Sequence, residues 1–227
     1  MKILAIIPAR KNSKGIKNKN IINFCGKPLI HWTISAAIES KLIDKIIVST
    51  DSKKIMAITK SYGIENNELR PKEISEDQTP MLDVINYELE KLKLKNYEPD
   101  LIVTLQPTSP LRGRRHIDSA IKILIKEKKF DALVSCVKVP HNFNPESLMQ
   151  IKNNFLIDTK FSKKIYSRQK KNNYFARNGA AIYVTRKKII HKSLFNKKTF
   201  PFEMSFFESV DIDNYEDLQF AEFLHRF

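Results

Sequence analysis

Apolar runs of strand length alternate with helix-periodic stretches along most of the chain, and that alternation narrows the possible folds more than any other feature. Residues 3–8 form a compact apolar run ending in proline, as a buried strand does. Residues 29–39 carry Ile30, Ile34 and Ile38 on one stripe, the spacing of a helix with one face turned inward. Residues 45–49 predict a second strand, and Thr50, Asp51 and Ser52 offer capping oxygens for a helix over 53–61. Tyr62-Gly63 closes that helix, because glycine accepts the left-handed cap conformation. Further helices are expected over 81–94 and 117–125, and strands over 101–105 and 132–137. The fold class that follows is α/β: a Rossmann-like, mainly parallel sheet with helices on both faces.

After Pro140 the pattern changes. Residues 141–169 are polar, with short apolar pieces at 148–151 and 155–157, and read as a small excursion such as a hairpin. Regularity returns with an apolar run at 180–184 and a final helix over 215–224. No repeat and no Gly-, Ser- or Pro-rich linker interrupts the chain, so residues 1–227 are read as one domain carrying the 141–169 excursion as an insertion.

Composition closes several options. Forty lysines and arginines against 25 aspartates and glutamates give a formal net charge of +15. Lysine supplies 31 of those cations and arginine nine, which reads first as charge scattered over solvated faces. No zinc finger, basic arm or aromatic-basic RNA signature is present, so no nucleic-acid partner is expected; a small polyanionic substrate suits a basic cleft equally well. No apolar run approaches the roughly 18 residues of a membrane helix, and no membrane partner is expected. The first nine residues faintly resemble a signal peptide, but a basic, acid-free segment follows where a cleavage site belongs. Cys25 and Cys136 are too few for a disulfide framework, and a cytoplasmic setting is expected.

The segment after the first strand holds Arg10, Lys11, Lys14, Lys17 and Lys19 with no acid among them. Ligands of open parallel sheets sit beyond the carboxyl ends of strands, which is where this loop lies. Gly15 permits tight backbone geometry, and successive amides of such a loop can cradle phosphate. With one glycine it is neither a Walker A loop nor a dinucleotide fingerprint. On spacing alone, phosphate binding and a solvated lysine-rich loop stand level. Asp211 and Asp213 leave a similar choice open: on an extended segment both point to one side and can share a cation, or they decorate the start of the last helix.

Residues 7–20, IPARKNSKGIKNKN, resemble the opening signature of the acylneuraminate cytidylyltransferase family, enzymes that make CMP-activated nonulosonic acids such as CMP-sialic acid. Gly26-Lys27-Pro28-Leu29 with Trp32, residues 48–51, Leu69-Arg70-Pro71, the run LQPTSPLR at 105–112, Arg168-Gln169, Arg177-Asn178-Gly179 with Ile182-Tyr183, and residues 209–213 continue the likeness in order. The resemblance implies a sheet of the nucleotide-diphospho-sugar transferase type and a reaction joining CTP to a sialic, legionaminic or pseudaminic type of sugar acid. In it the anomeric hydroxyl attacks the α-phosphate and pyrophosphate leaves with Mg²⁺ assistance. It implies catalytic roles for Arg10, Lys19 and Asp211, and nucleotide contacts from Arg10, Ser13, Lys14, Gly15, Lys19, Asn20 and Arg70, with Thr79 as a substitute for a hydrogen bond that Met81 cannot donate. It assigns sugar contacts to Gln106, Arg168, Asn178 and Tyr183, and metal ligation to Asp211 and Asp213. For Arg70 the bland alternative is a surface ion pair near Glu68 and Glu73; for Tyr183 it is core packing.

The chain departs from the family pattern at Met81, where several members have a small or hydroxyl residue. It departs at Glu146, where some sialic-acid-specific members carry lysine, and at Arg177, set one residue from the usual arginine. The Glu146 departure favours a legionaminic- or pseudaminic-type sugar. The 141–169 excursion falls where the family builds its dimer contact, and its apolar pieces need burial, so a homodimer is expected. The alternatives are activation of another sugar acid such as KDO, or a non-catalytic nucleotide or nucleic-acid binder.

Overall fold

The computed structural model describes residues 1–64, 68–162 and 172–226. In chain order the main elements are β1 (Ile3–Pro8), β2 (Asn23–Phe24), β3 (Lys27–Pro28), α1 (Leu29–Ile38), β4 (Lys45–Ser49), α2 (Lys53–Ser61), α3 (Met81–Leu94), β5 (Leu101–Thr104) and α4 (Arg114–Lys126). They continue with β6 (Ala132–Lys138), β7 (Met149–Lys152), β8 (Phe155–Asp158), β9 (Phe175–Arg177), β10 (Tyr183–Arg186), α5 (Lys187–Ile190), β11 (Thr199–Met204) and α6 (Tyr215–His225).

Seven strands form the central sheet, ordered β11-β6-β10-β5-β1-β4, with β9 also pairing on β6. The pairs β1–β4, β1–β5 and β6–β11 are parallel; β10 is antiparallel to β5 and β6, and β9 to β6. The period-2 alternation of β1 explains its burial on both faces. Ile3, Ala5 and Ile7 pack with Ile30 and Ile34 of α1 and Ile117, Ile121 and Leu124 of α4. Leu4 and Ile6 pack on the other face with Ile85, Leu89 and Leu92 of α3.

One strand decides where the site lies. Because β10 runs against its neighbours, its amino end meets the carboxyl ends of β5 and β6. The Gln106 amide donates to the Ala180 carbonyl at 3.0 Å, and the Ser135 amide to the Ile182 carbonyl at 3.0 Å. The apolar run at 180–184 therefore becomes strand only from Tyr183; residues 180–182 are buried but irregular. Strand β11 was not expected from the sequence. It carries Pro201 and only partial burial, the marks of an edge strand.

The excursion contains a two-stranded hairpin, β7–β8, turned by Asn153 and Asn154 at φ 51° and 65°. Two consecutive left-handed residues are what a tight hairpin turn requires, and asparagine tolerates them. Ile151, Phe155 and Leu156 of this hairpin are 77%, 71% and 63% exposed, so nothing in the described chain covers them.

Candidate active site

The basic loop after β1, the segment between Arg70 and α3, the loop after β5 and Asp213 enclose one cleft of about 310 Å³. Arg10, Ser13, Lys14, Gly15, Lys19, Asn20, Arg70 and Thr79 all line it. The loop is held by its own polar groups. The Asn20 side-chain amide donates to the Arg10 carbonyl at 2.9 Å, and the Lys11 amide donates to Asp51 Oδ1 at 2.6 Å. Gly15 is needed for close approach, since a Cβ there would lie 2.0 Å from the Asp213 carbonyl oxygen.

The cations differ in their engagement. Lys19 is buried, and its ammonium donates to the Ile212 carbonyl at 2.7 Å and to Asp213 Oδ1 at 2.8 Å. A lysine ammonium has three N–H donors, so one remains for an anion. Arg10 is ion-paired with Asp77, and Lys14 stands 3.7 Å from the same carboxylate. Arg70 is not the surface ion pair that its acidic neighbours allowed. It is 5% exposed, its Nε donates to Ser75 Oγ at 3.1 Å, and Glu68 pairs instead with Lys91. Burial pulls the Arg70 pKa down, with Asp51 and Glu88 opposing the shift.

Asp211 and Asp213 flank buried Ile212, whose amide donates to the Thr108 carbonyl at 2.8 Å. Neither aspartate caps the helix that follows: Asn214 is the cap of α6, accepting from the Asp217 amide at 2.9 Å. Asp217 returns the bond to the amides of Asp213 and Asn214 at 2.9 and 3.0 Å, which leaves both carboxylates of the pair outside the cap. Burial holds the Asp211 carboxyl above the usual carboxylate range, and Asp213 adds to this, while Thr108 and Lys19 oppose it. Asp211 Oδ1 is buried without a hydrogen-bond partner. Such an orphaned carboxylate oxygen suits a hard cation. Among the described residues no cluster of three or more His, Cys, Asp or Glu side chains could hold a metal. A cation here would take two carboxylates and complete its shell from substrate and water, the habit of Mg²⁺.

A second cavity of about 400 Å³ is lined by Met81, Gln106, Arg177, Gly179, Ala180 and Tyr183. It shares Met81 and Gln106 with the first. Gly179, at φ 66°, presses against Asp211: a Cβ there would stand 2.5 Å from Oδ2. Tyr183 is both core and wall. It is 5% exposed, its hydroxyl donates to the Gly179 carbonyl at 2.9 Å, and its ring meets Phe195 edge-on. Asn178 is buried behind this wall, donating to Ser209 Oγ at 3.0 Å, and braces the Ser209 turn without lining the cavity. Arg168 lies outside the described residues. Glu146 does not present an inverted charge to either cavity; it is buried and accepts from the Tyr174 hydroxyl at 2.7 Å.

Three contributors were missed from the sequence. Arg177, stacked over the Phe195 ring at 5.2 Å, had its place in the RNG block as a signal. Asp77 had no signal, because an acid contradicts the charge pattern of the loop's cations. Arg112 is completely buried, and desolvation pulls its pKa down to about 9. Its Nη2 donates to Thr33 Oγ1 at 2.6 Å and to the Gln106 carbonyl at 3.1 Å, fixing the turn that presents Gln106. A larger cavity of about 910 Å³ opens beside Trp32, Arg112 and Phe223, and none of the catalytic, nucleotide, sugar or metal residues expected from the sequence lines it. Volume alone does not mark the site.

The sequence model of the family described as Cytidylyltransferase matches residues 4–226. The N-acylneuraminate cytidylyltransferase of Escherichia coli is 34% identical over 97% of this chain, and the match covers 51% of that protein. The CMP-N,N'-diacetyllegionaminic acid synthase of Legionella pneumophila is 34% identical over 98% of this chain and 95% of that one. The chain thus spans about half the length of the N-acylneuraminate enzymes it matches, and nearly all of the legionaminic one. Among solved structures, a CMP:2-keto-3-deoxy-manno-octonic acid synthetase complexed with CTP superposes with a TM-score of 0.74 at 15% identity, covering 100% of this chain and 99% of that one. At that identity the likeness is one of fold.

Proposed function

Since the chain belongs to the cytidylyltransferase family, we propose that it transfers the cytidylyl group of CTP to a nonulosonic acid of sialic, legionaminic or pseudaminic type. One observation carries this reading. The cleft lined by Arg10, Lys14 and Arg70 joins the pocket lined by Tyr183 and Arg177 at Met81 and Gln106. A nucleotide in the first and a sugar acid in the second would meet at Met81 and Gln106, with Asp211 packed against Gly179 of the second wall.

In this reading Arg10, Lys14 and the free N–H of Lys19 hold the phosphates, with the backbone of Ser13 and Gly15 beside them. Arg is suited to forked contacts and Lys to point-charge ones. Asn20, Arg70 and Thr79 hold the nucleoside. Gln106, Tyr183 and Arg168 contact the sugar acid, and Asn178 supports them from behind. The anomeric hydroxyl oxygen bonds to the α-phosphorus as the bond from that phosphorus to pyrophosphate oxygen breaks. The hydroxyl proton is released and the electron pair leaves on pyrophosphate. Positioning and charge stabilisation are then most of what the protein must supply.

Mg²⁺ belongs to the proposal, held by Asp211 and Asp213, where it would neutralise charge on the leaving pyrophosphate. So does a homodimer built on the β7–β8 hairpin, whose exposed apolar side chains a second copy would cover. A cytoplasmic setting goes with the same reading, both cysteines being free thiols. No described helix is long and apolar enough to cross a membrane.

The test is pyrophosphate release from CTP with N-acetylneuraminic, legionaminic, pseudaminic and 3-deoxy-octulosonic acids, each with and without chelator. Release with a nonulosonic acid, abolished by chelator, is expected. Release with the octulosonic acid alone would replace the substrate, and CTP binding without release from any acid would remove the activity.

A further inference from the structure

We propose that Asp77 competes for the cations that hold the substrate's phosphates, and thereby weakens pyrophosphate binding and promotes its release. The proposal rests on the reading of this cleft as the nucleotide site.

Arg10 and Lys14 belong to the loop after β1; Asp77 approaches from the segment between Arg70 and α3. All three line the same cleft. One carboxylate is thus shared by two of the cations best placed for phosphate, with Arg10 in direct contact and Lys14 at 3.7 Å. The carboxylate is delivered by a built segment. Arg70 Nε donates to Ser75 Oγ at 3.1 Å, Ser75 Oγ donates to the Pro71 carbonyl at 2.7 Å, and the Thr79 amide donates to the Glu76 carbonyl at 3.2 Å. Arg70 itself is tied back to the sheet edge, its amide donating to the Thr50 carbonyl at 2.7 Å.

The strength of the contact suits competition. The side chains of Arg10 and Asp77 are 29% and 37% exposed, so the pair is partly hydrated and readily exchanged. A pyrophosphate carries more charge than a carboxylate and offers more oxygens to a guanidinium fork, so it displaces Asp77. It does so against the lost Arg10–Asp77 pair. CTP faces the same penalty, but its nucleoside adds contacts that pyrophosphate lacks. When the leaving group departs, Asp77 closes on Arg10 again and opposes rebinding.

The experiment is calorimetric binding of inorganic pyrophosphate and of CTP, each with Mg²⁺, to the full chain and to two variants. Asp77→Asn, nearly isosteric at a partly exposed position, should bind pyrophosphate about fivefold more tightly, the upper end for an exposed ion pair. Asp77→Glu, which keeps the charge, should stay within about twofold of the parent chain. Unchanged or weaker pyrophosphate binding by Asp77→Asn, with the parent chain binding both ligands, overturns the proposal and makes Asp77 an orienting partner of Arg10. A parent chain that binds neither ligand fails the nucleotide reading, and this proposal falls with it.

Discussion

Lys19 reaches across 194 residues of sequence to donate to Asp213 Oδ1 at 2.8 Å, while its other bond, to the Ile212 carbonyl, is 2.7 Å long. The ammonium proposed to meet phosphate is also bonded to the segment that carries Asp211 and Asp213. The two halves of the proposed site are one electrostatic unit.

Lys19→Met should therefore lose two things together. Turnover should fall by roughly 100- to 1000-fold, as when one preorganised donor is removed from a charged transition state. Stability should fall by about 1–3 kcal/mol, because the Ile212 carbonyl loses a charged donor. Turnover with CTP and thermal unfolding check both, and a normal rate removes Lys19 from the site.

Asp211→Asn should separate activity from stability. Asp211 carries a desolvated charge with one buried oxygen unpartnered. Removing the charge should abolish Mg²⁺-dependent turnover yet raise the melting temperature of the metal-free protein. A lower melting temperature would mean that the carboxylate has a structural partner.

Gly15→Ala should displace the basic loop from the 211–213 segment, because the added methyl would meet the Asp213 carbonyl at 2.0 Å. Turnover should drop at least tenfold with the sheet intact by circular dichroism. Unimpaired turnover in Gly15→Ala would show that this contact does not position the site.

Although Gln106 borders both cavities, its proposed contact is with the sugar acid, so Gln106→Ala should raise the KM for that acid and leave that for CTP within about twofold. The reverse pattern assigns Gln106 to the nucleotide. Arg112→Ala, one layer below, should show the same sugar-side defect and in addition lose about 3 kcal/mol of stability, having emptied a fully buried site.

Phe155→Asp with Leu156→Asp should convert a species of twice 26.4 kDa into one of 26.4 kDa by light scattering at micromolar concentration. Both side chains are exposed in the single chain, so the fold should be unaffected. A monomeric parent chain contradicts the dimer.

Strand β1 and helices α2 and α3 were legible to the residue, because each combines a clear apolar pattern with a proline or glycine boundary or a capping serine, and β4 was legible from its short apolar run before that cap. Strand β11 was not, since an edge strand with a proline lacks that alternation. The cleft's cations were legible only through the family signature at 7–20, because acid-free lysines after a first strand read equally well as a solvated loop. Asp77 was not, because its importance lies in reaching those cations from across the cleft. The sequence offered Asp213 or Asn214 as the cap of α6, and the return bond from Asp217 needed coordinates; sequence left the Asp211–Asp213 pair divided between helix start and cation.

Phosphorus NMR of a mixture of the protein, CTP, Mg²⁺ and a nonulosonic acid tests the central claim most directly. The account predicts one CMP phosphodiester resonance and pyrophosphate, growing in equal amounts and only when the acid is present. CTP that stays intact with every acid, or decays to CDP and orthophosphate regardless of the acid, would contradict it.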